Sequence, residues 1–252
     1  YSNWLELDSR TIHFTGGRNM KSGSRPMYNE ALANQNSRRV AKALAEAGGI
    51  ARYSQLEGAS GVKGSVLIYH LNRLNSLNIV EVPVKGTYQL KYRTPLCYLY
   101  QSKGVEVAYL GLLGHRESRE EPETNVALKL LKDEGLKPRL MYVVTSPGAL
   151  EEWREMRLPF QWILCYEDEI IDIDIIQKKV RPQLEGLLRD YVVILDCTSA
   201  TKPATIAYYD LAQTYLTPLI YVYEDTKELK WLLSREMLKK RLGINDSSRS
   251  FR

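Results

Sequence analysis

From residue 104 onward, short apolar runs alternate with longer amphipathic stretches. Each run is continuous and rich in β-branched or aromatic residues, as expected of a strand that is buried on both faces. The alternation predicts a parallel sheet with helices on both faces. Strands are predicted at residues 105–113, 140–144, 160–165, 191–195 and 219–223, with helices at 125–134, 149–156, 173–188 and 203–216. Pro182 is predicted to interrupt or kink the third of these helices.

Before residue 104 the pattern is helical and then alternating. One helix is predicted from residue 27 to the glycine pair Gly48-Gly49, followed by a short strand at Ile50 and a short helix N-capped by Ser54. A third helix is predicted over residues 63–77, with a buried leucine stripe, and a hairpin over residues 79–92. The order of helix, helix, turn, helix and hairpin is the layout of a winged helix-turn-helix.

Residues 65–81 resemble the recognition helix and wing entry of bacterial and archaeal winged-helix regulators. The resemblance implies that the third helix enters the major groove of DNA while the hairpin contacts the backbone. Winged helices also act as protein-interaction modules, and the polar face of a helix is often simply solvated. The candidate DNA-contacting residues are Lys63, Ser65, Tyr69, Asn72, Arg73 and Lys85.

Composition and charge limit the class of protein and the kinds of partner that the sequence predicts. The 252 residues carry a net charge of +5, and basic residues outnumber acidic ones up to Lys103. Only that half of the chain is therefore expected to bind a polyanion.

No apolar run approaches the roughly 20 residues of a membrane span, and no signal-peptide pattern is present. Three separated cysteines predict reduced core thiols in a cytoplasmic protein, and three scattered histidines predict no metal site.

The predicted organisation has four parts. Residues 1–26 form an N-terminal extension, residues 27–103 the winged helix-turn-helix domain, residues 104–233 a Rossmann-like domain and residues 234–252 a basic tail. The expected fold class is therefore α/β plus a small α+β domain.

The candidate chemistry lies in two polar turns that follow predicted strands, at residues 112–116 and 198–202. Open parallel sheets bind ligands at the carboxyl ends of their strands, and helix N-termini favour anions. The two turns are therefore predicted to bind an anion such as a phosphate group. In the alternative interpretation, the second turn is an ordinary helix cap with an exposed lysine. His115 then caps its strand, and Arg116 pairs with Glu117, Glu120 or Glu121. The candidate ligand-binding residues are Leu112, Leu113, Gly114, His115, Arg116, Thr198, Ser199, Ala200, Thr201, Lys202 and Pro203.

The glycine fingerprint of nicotinamide and flavin sites is missing from the first turn, which offers only Gly111 and Gly114, and no P-loop pattern occurs. No cofactor is therefore expected, and Pro203 is predicted to open the helix after the second turn.

Residues 196–203, with the strand at 218–223, resemble the second motif of CARF domains, the CRISPR-associated Rossmann fold. Residues 108–116 resemble the first motif of that family. Ser199 and Ala200 depart from the pattern, because the family often has glycines there. The resemblance implies a homodimer that binds a cyclic oligoadenylate, with cyclic tetra-adenylate expected, across its two-fold axis in type III CRISPR defence.

Together these features predict a DNA-binding transcriptional regulator that responds to cyclic oligoadenylate. One alternative is an enzyme, a metal-independent ring nuclease for which His115 is the only evident base. Another is a protein-interaction module that binds neither ligand. The leading hypothesis assigns no catalytic residue.

Overall fold

A computed structural model describes residues 26–223 and 226–244 of the chain. Nearly all of the predicted N-terminal extension and the end of the basic tail lie outside the described residues.

The N-terminal unit consists of four helices and a small antiparallel sheet. In chain order its elements are α1 (Tyr28–Ala33), α2 (Gln35–Glu46), β1 (Ile50–Arg52), α3 (Tyr53–Ser60), α4 (Gly64–Ser76), β2 (Val80–Val84) and β3 (Thr87–Leu90). The sheet order is β1-β3-β2, so β3 lies between its two antiparallel neighbours.

Two helix starts differ from the sequence-based prediction. The helix expected from residue 27 is divided at Asn34, whose side chain accepts hydrogen bonds from the backbone of Asn36 and Ser37 and begins α2. Ser54 is not an N-cap and lies inside α3. Arg52 occupies the N-cap position, and its backbone N–H donates to the Gln55 side chain at 2.8 Å.

The core of this unit forms around α4. Leu67, Leu71 and Leu74 are fully buried at helical spacing, as predicted. His70 is buried beside them, with its Nδ1 2.9 Å from the Ser37 hydroxyl on α2. The buried stripe therefore fixes which face of α4 points to solvent.

The second unit is a mixed α/β structure with a six-stranded, mostly parallel sheet. Its elements are α5 (Leu96–Leu99), β4 (Val107–Leu113), α6 (Glu123–Asp133), β5 (Pro138–Thr145), α7 (Pro147–Glu152), β6 (Gln161–Leu164), α8 (Ile173–Asp190), β7 (Val192–Asp196), α9 (Lys202–Tyr215), β8 (Leu219–Tyr223), β9 (Glu228–Leu233) and α10 (Arg235–Arg241). The parallel sheet predicted from the alternating pattern is confirmed.

The short helix α5 was not predicted from the sequence, and two further features of this unit were not predicted correctly. β9 pairs antiparallel with β8 and was missed, because its alternating half-buried pattern lacks a continuous apolar run. α8 continues through Pro182, so the helix is not interrupted there, and a kink at Pro182 stays a prediction. The buried stripe of α8 extends on both sides, with Val180 and Leu184 packed in the core.

The strand order β6-β5-β4-β7-β8-β9 places a switch point between β4 and β7. The chain leaves β4 toward β5 and β6, then returns through α8 to β7 on the other side of β4. The connections after β4 and β7 therefore diverge, and the turns that follow these strands meet at one edge of the sheet.

The two units share one continuous apolar core. At their junction the Thr94 hydroxyl donates to the Tyr191 carbonyl and accepts from the Val193 backbone N–H at 2.9 Å. The backbone N–H of Arg93 donates to the Leu188 carbonyl. The N-terminal unit is thus fixed to α8 and to the start of β7. Among the described residues, no helix has the length and apolar character that a membrane span requires.

Candidate functional site

The turn after β7 is anchored by a fully buried carboxyl group. Asp196 accepts a hydrogen bond from the Tyr109 hydroxyl at 2.5 Å and from the Thr198 backbone N–H at 2.9 Å. The Thr198 hydroxyl also donates to Asp196 and accepts from the Val222 N–H on β8. Burial raises the pKa of Asp196 to about 6, although these hydrogen bonds favour the ionised form. The turn is therefore tied to both neighbouring strands.

The two predicted turns are in direct contact. The Gly114 N–H, after β4, donates to the Ser199 hydroxyl at 2.9 Å. A Cβ added at Gly114 would lie 2.9 Å from the backbone nitrogen of Ala200, so only glycine allows this close approach. Ala200 has φ = 71°, in the left-handed region that favours glycine.

Helix α9 begins at this turn. Its first residue is Lys202, and Pro203 is the second, not the first as predicted. The Thr201 hydroxyl accepts from the Ala204 N–H and donates to the Ile170 carbonyl. Lys202 is exposed, and its ammonium has no hydrogen-bond or ion-pair partner among the residues that the structure describes. An exposed ammonium group without a partner among the described residues therefore lies at the start of a 14-residue helix.

Both basic side chains of the β4 turn, His115 and Arg116, have carboxylate partners. His115 Nδ1 lies 2.7 Å from a carboxylate oxygen of Glu152, and His115 Nε2 lies 4.0 Å from Glu167. The Arg116 backbone N–H donates to the other Glu152 oxygen at 2.6 Å. These hydrogen bonds lower the pKa of Glu152. His115 is therefore paired with a carboxylate, whereas the alternative interpretation expected it to cap its strand.

Arg116 does not pair with Glu117, Glu120 or Glu121, as the alternative interpretation expected. Its guanidinium lies 5.4 Å from the centre of the Trp153 ring and 3.9 Å from Glu155. The Trp153 indole N–H donates to the Gly114 carbonyl at 3.0 Å. The Arg116 side chain is therefore held by the segment that follows α7.

Both turns line one cavity of about 450 Å³. Of the candidate ligand-binding residues, it is lined by Leu113, Gly114, His115, Thr198, Ser199, Ala200 and Thr201. Leu112 is buried in the sheet, while Arg116, Lys202 and Pro203 do not line the cavity. A second hollow of about 320 Å³ shares Arg119, Glu123 and Thr198 with it. Seven of the eleven predicted residues therefore line the cavity, and four do not.

Several cavity residues were missed from the sequence. Ser146 follows β5, and Glu167 and Ile170 follow β6, so the rule that parallel strands end at one edge could have found them. Arg119 lies in the loop after β4 and contacts Glu117 at 3.1 Å and Glu123 at 3.5 Å. The cavity therefore contains carboxylates as well as cations. In residues 26–223 and 226–244, no three His, Cys, Asp or Glu side chains are grouped to hold a metal ion.

The candidate DNA-contacting residues of the N-terminal unit do not share one face. Ser65, Tyr69 and Asn72 are exposed on the side of α4 opposite the leucine stripe. Arg73 is half-buried, with its guanidinium 3.7 Å from the Glu30 carboxylate on α1. Lys63, at the N-cap of α4, and Lys85, at the hairpin turn, are exposed.

Comparison with known proteins gives matches among solved structures only. No protein-family model matches the chain, and no curated protein matches it in sequence. Can2 from Sulfobacillus thermosulfidooxidans, in complex with cyclic tetra-adenylate, is 16% identical with a TM-score of 0.37 over 51% of this chain. Protein VC1899 from Vibrio cholerae is 12% identical, with a TM-score of 0.39 over 51% of the chain.

Csm6 from Enterococcus italicus, bound to cyclic hexa-2′-fluoro-hexa-dAMP, is 10% identical with a TM-score of 0.39 over 59% of the chain. The matches cover 35%, 34% and 40% of the three known chains, so this chain spans well under half of their length.

Proposed function

We propose that this protein is a DNA-binding transcriptional regulator that responds to a cyclic oligoadenylate. One observation supports the ligand-binding part of this proposal. The turns after β4 and β7 are hydrogen-bonded to each other at the switch point and open into one cavity beside the first turn of α9. The sequence resemblance of both turns to CARF motifs supports the same ligand class.

The chemistry of the β7 turn suits a phosphodiester. Lys202 supplies an ammonium group, and the N-terminus of α9 supplies a favourable dipole. Pro203 has no N–H, and the Ala204 N–H is used by the cap. The attraction between this turn and a phosphate group therefore depends mostly on the charge of Lys202. We expect this residue to contribute more to ligand binding than any other residue of the turn.

The size of the cavity favours a ligand shared by two copies of the chain. A volume of about 450 Å³ suits one small ligand and is too small for a complete ring of four nucleotides. In a homodimer with two-fold symmetry, each copy would contribute the same turn, so two Lys202 side chains would face one ring. Arg119 would supply a further cation if the ligand phosphates replace its present carboxylate partners.

Strand β7 offers a direct connection between this site and the N-terminal unit. Its carboxyl end carries Asp196 and the ligand turn, and Val193 near its other end donates to Thr94. We propose that ligand binding changes the separation of the two N-terminal units in the dimer. Because half-site spacing on DNA follows dimer geometry, such a change would alter DNA affinity.

Isothermal titration calorimetry with cyclic tri-, tetra- and hexa-adenylate tests the ligand. Binding is expected for one ring, and Lys202→Ala is expected to weaken it by roughly tenfold or more, since it removes a charged contact to phosphate. Lys230→Ala is the matched control, because it removes an exposed lysine from β9 of the same unit. No heat with any ring, or equal affinities for both variants, would refute the proposed site.

A ring nuclease is the second candidate, favoured by the position of His115. The imidazole lies in the cavity wall between Glu152 and Glu167, where a general base would be oriented by a carboxylate. Incubation with cyclic tetra-adenylate followed by chromatography separates the two functions. Linear products that disappear in His115→Ala would favour the enzyme, whereas an intact ring would favour the regulator.

A further inference from the structure

The outward face of α4 is polar but uncharged. Ser65, Tyr69, Asn72 and Ser76 recur at intervals of three and four residues on the side opposite the buried leucines. Arg73 is the one Asp, Glu, Lys or Arg within residues 64–76, and it is directed sideways to Glu30. The carboxamide of Asn72 has no hydrogen-bond partner among the described residues.

The same helix exposes three large apolar side chains. Val66 is 46% exposed, Ile68 is 48% exposed and Tyr69 is 60% exposed. Ile68 lies four residues before Asn72, and Val66 lies three residues before Tyr69, so each apolar side chain adjoins a member of the outward face. Val66 and Ile68 are about 200° apart around the helix, so they lie at opposite margins of the polar face.

These side chains match the groups that an A·T pair presents in the major groove. A carboxamide forms two hydrogen bonds with N6 and N7 of adenine, and the thymine methyl group favours apolar contact. Guanine is usually read by Arg or Lys, and α4 directs neither outward. We infer that α4 selects A·T base pairs, with Asn72 reading adenine and Ile68 contacting a thymine methyl group. This inference rests on the proposed DNA-binding function.

The positive charges lie at the two margins of this face. Lys63 precedes α4, and Lys85 lies at the hairpin turn, where both side chains are exposed. Lysines at such positions contact phosphates, which strengthens binding to any sequence. The N-terminal unit therefore separates affinity, supplied by the lysines, from sequence selection, supplied by Asn72 and Ile68.

Selection from a duplex DNA library with a randomised centre provides the first test. The full chain is expected to enrich sites in which A·T pairs occupy the positions read by α4. Enrichment of G·C pairs at those positions would overturn the inference while leaving DNA binding intact. No enrichment and no retention of any duplex at low salt would overturn the DNA-binding function and the inference together.

Base analogues in the enriched duplex provide the second test. Replacing thymine by uracil removes only the methyl group, and replacing adenine by 7-deazaadenine removes the N7 acceptor. Each change is expected to weaken wild-type binding at one position, by about fivefold or more for the adenine contact. Ile68→Ala should lose sensitivity to uracil, and Asn72→Ala should lose sensitivity to 7-deazaadenine.

Two controls make the base-analogue test specific. Ile206→Ala removes another half-exposed isoleucine, on α9, and should keep both sensitivities. Lys85→Ala should weaken all duplexes alike and reduce the dependence of affinity on salt. Wild-type binding that is unchanged by both analogues at every position would overturn the assignment of Asn72 and Ile68.

Discussion

The two turns at the switch point are held in place in different ways. The β7 turn is fixed by short-range hydrogen bonds to a buried carboxylate, and its lysine remains unpaired among the described residues. The β4 turn is fixed by two exposed carboxylates, because Glu152 of α7 pairs with its histidine and Glu155, after α7, pairs with its arginine. The difference is that the β7 turn is attached to the interior of the sheet, whereas the β4 turn is attached to carboxylates at the surface.

The largest expected effect comes from removing the anchor of the β7 turn. Asp196→Ala leaves the Tyr109 hydroxyl and the Thr198 N–H buried without their acceptor. We expect a loss of about 3 kcal/mol in the free energy of unfolding, measured by urea denaturation at pH 5. Asp190→Ala removes an exposed carboxylate and should cost far less. Equal losses would contradict the central role of the buried carboxyl group.

The pH dependence of stability offers a second measure of the same anchor. The pKa of Asp196 is raised from 3.8 to about 6, so the folded state binds the proton more tightly than the unfolded state. The contribution of this group is therefore fully present below about pH 4 and is lost as pH rises to about 6. The stability difference between wild type and Asp196→Asn should fall by on the order of 2 kcal/mol between pH 4 and pH 7. A difference that is constant with pH would contradict the raised pKa.

The contact between the turns is tested by Gly114→Ala. The new methyl group would meet the backbone of Ala200, which must then move, at an expected cost of about 2 kcal/mol in the free energy of unfolding. Gly186→Ala is a suitable control, because the Cβ added there in α8 meets no atom within 4 Å beyond its chain neighbours and the adjacent helix backbone. It should leave stability unchanged or raise it. A tolerated alanine at position 114 would mean that the turns are not closely packed.

The smallest effect is expected at Ala200. Glycine at this left-handed position removes backbone strain, so Ala200→Gly should raise the free energy of unfolding by about 0.5 kcal/mol. Ala204→Gly, within α9, should instead lower it by about 1 kcal/mol. Loss of stability in Ala200→Gly would show that the left-handed conformation is not a source of strain.

The sheet and the positions of both turns were predictable because they depend on local patterns. Continuous apolar runs mark β4 and β7, and the polar residues after each run mark the turns. The alternation of strands and helices then places these turns at one edge of a parallel sheet. The leucine stripe of α4 was predictable for the same reason, since 3.6-residue periodicity is local.

The pairing of the site residues was not predictable, because it depends on side chains that are distant in sequence. Glu152 lies 37 residues after His115, and Glu30 lies 43 residues before Arg73. No periodicity signals either pair. The position of Arg52 as the N-cap of α3 was also not predicted. The hydrogen bond there joins the Arg52 backbone N–H to the Gln55 side chain, and Arg is not among the residue types that mark an N-cap in a sequence.

The most direct measurement is fluorescence anisotropy of a labelled duplex from the selection, titrated with the full chain with and without cyclic tetra-adenylate. We expect the ring to shift the midpoint of DNA binding in wild type. Lys202→Ala should bind the same duplex with unchanged affinity and show no shift. Superimposable wild-type curves with and without cyclic tri-, tetra- or hexa-adenylate would contradict a ligand-responsive regulator.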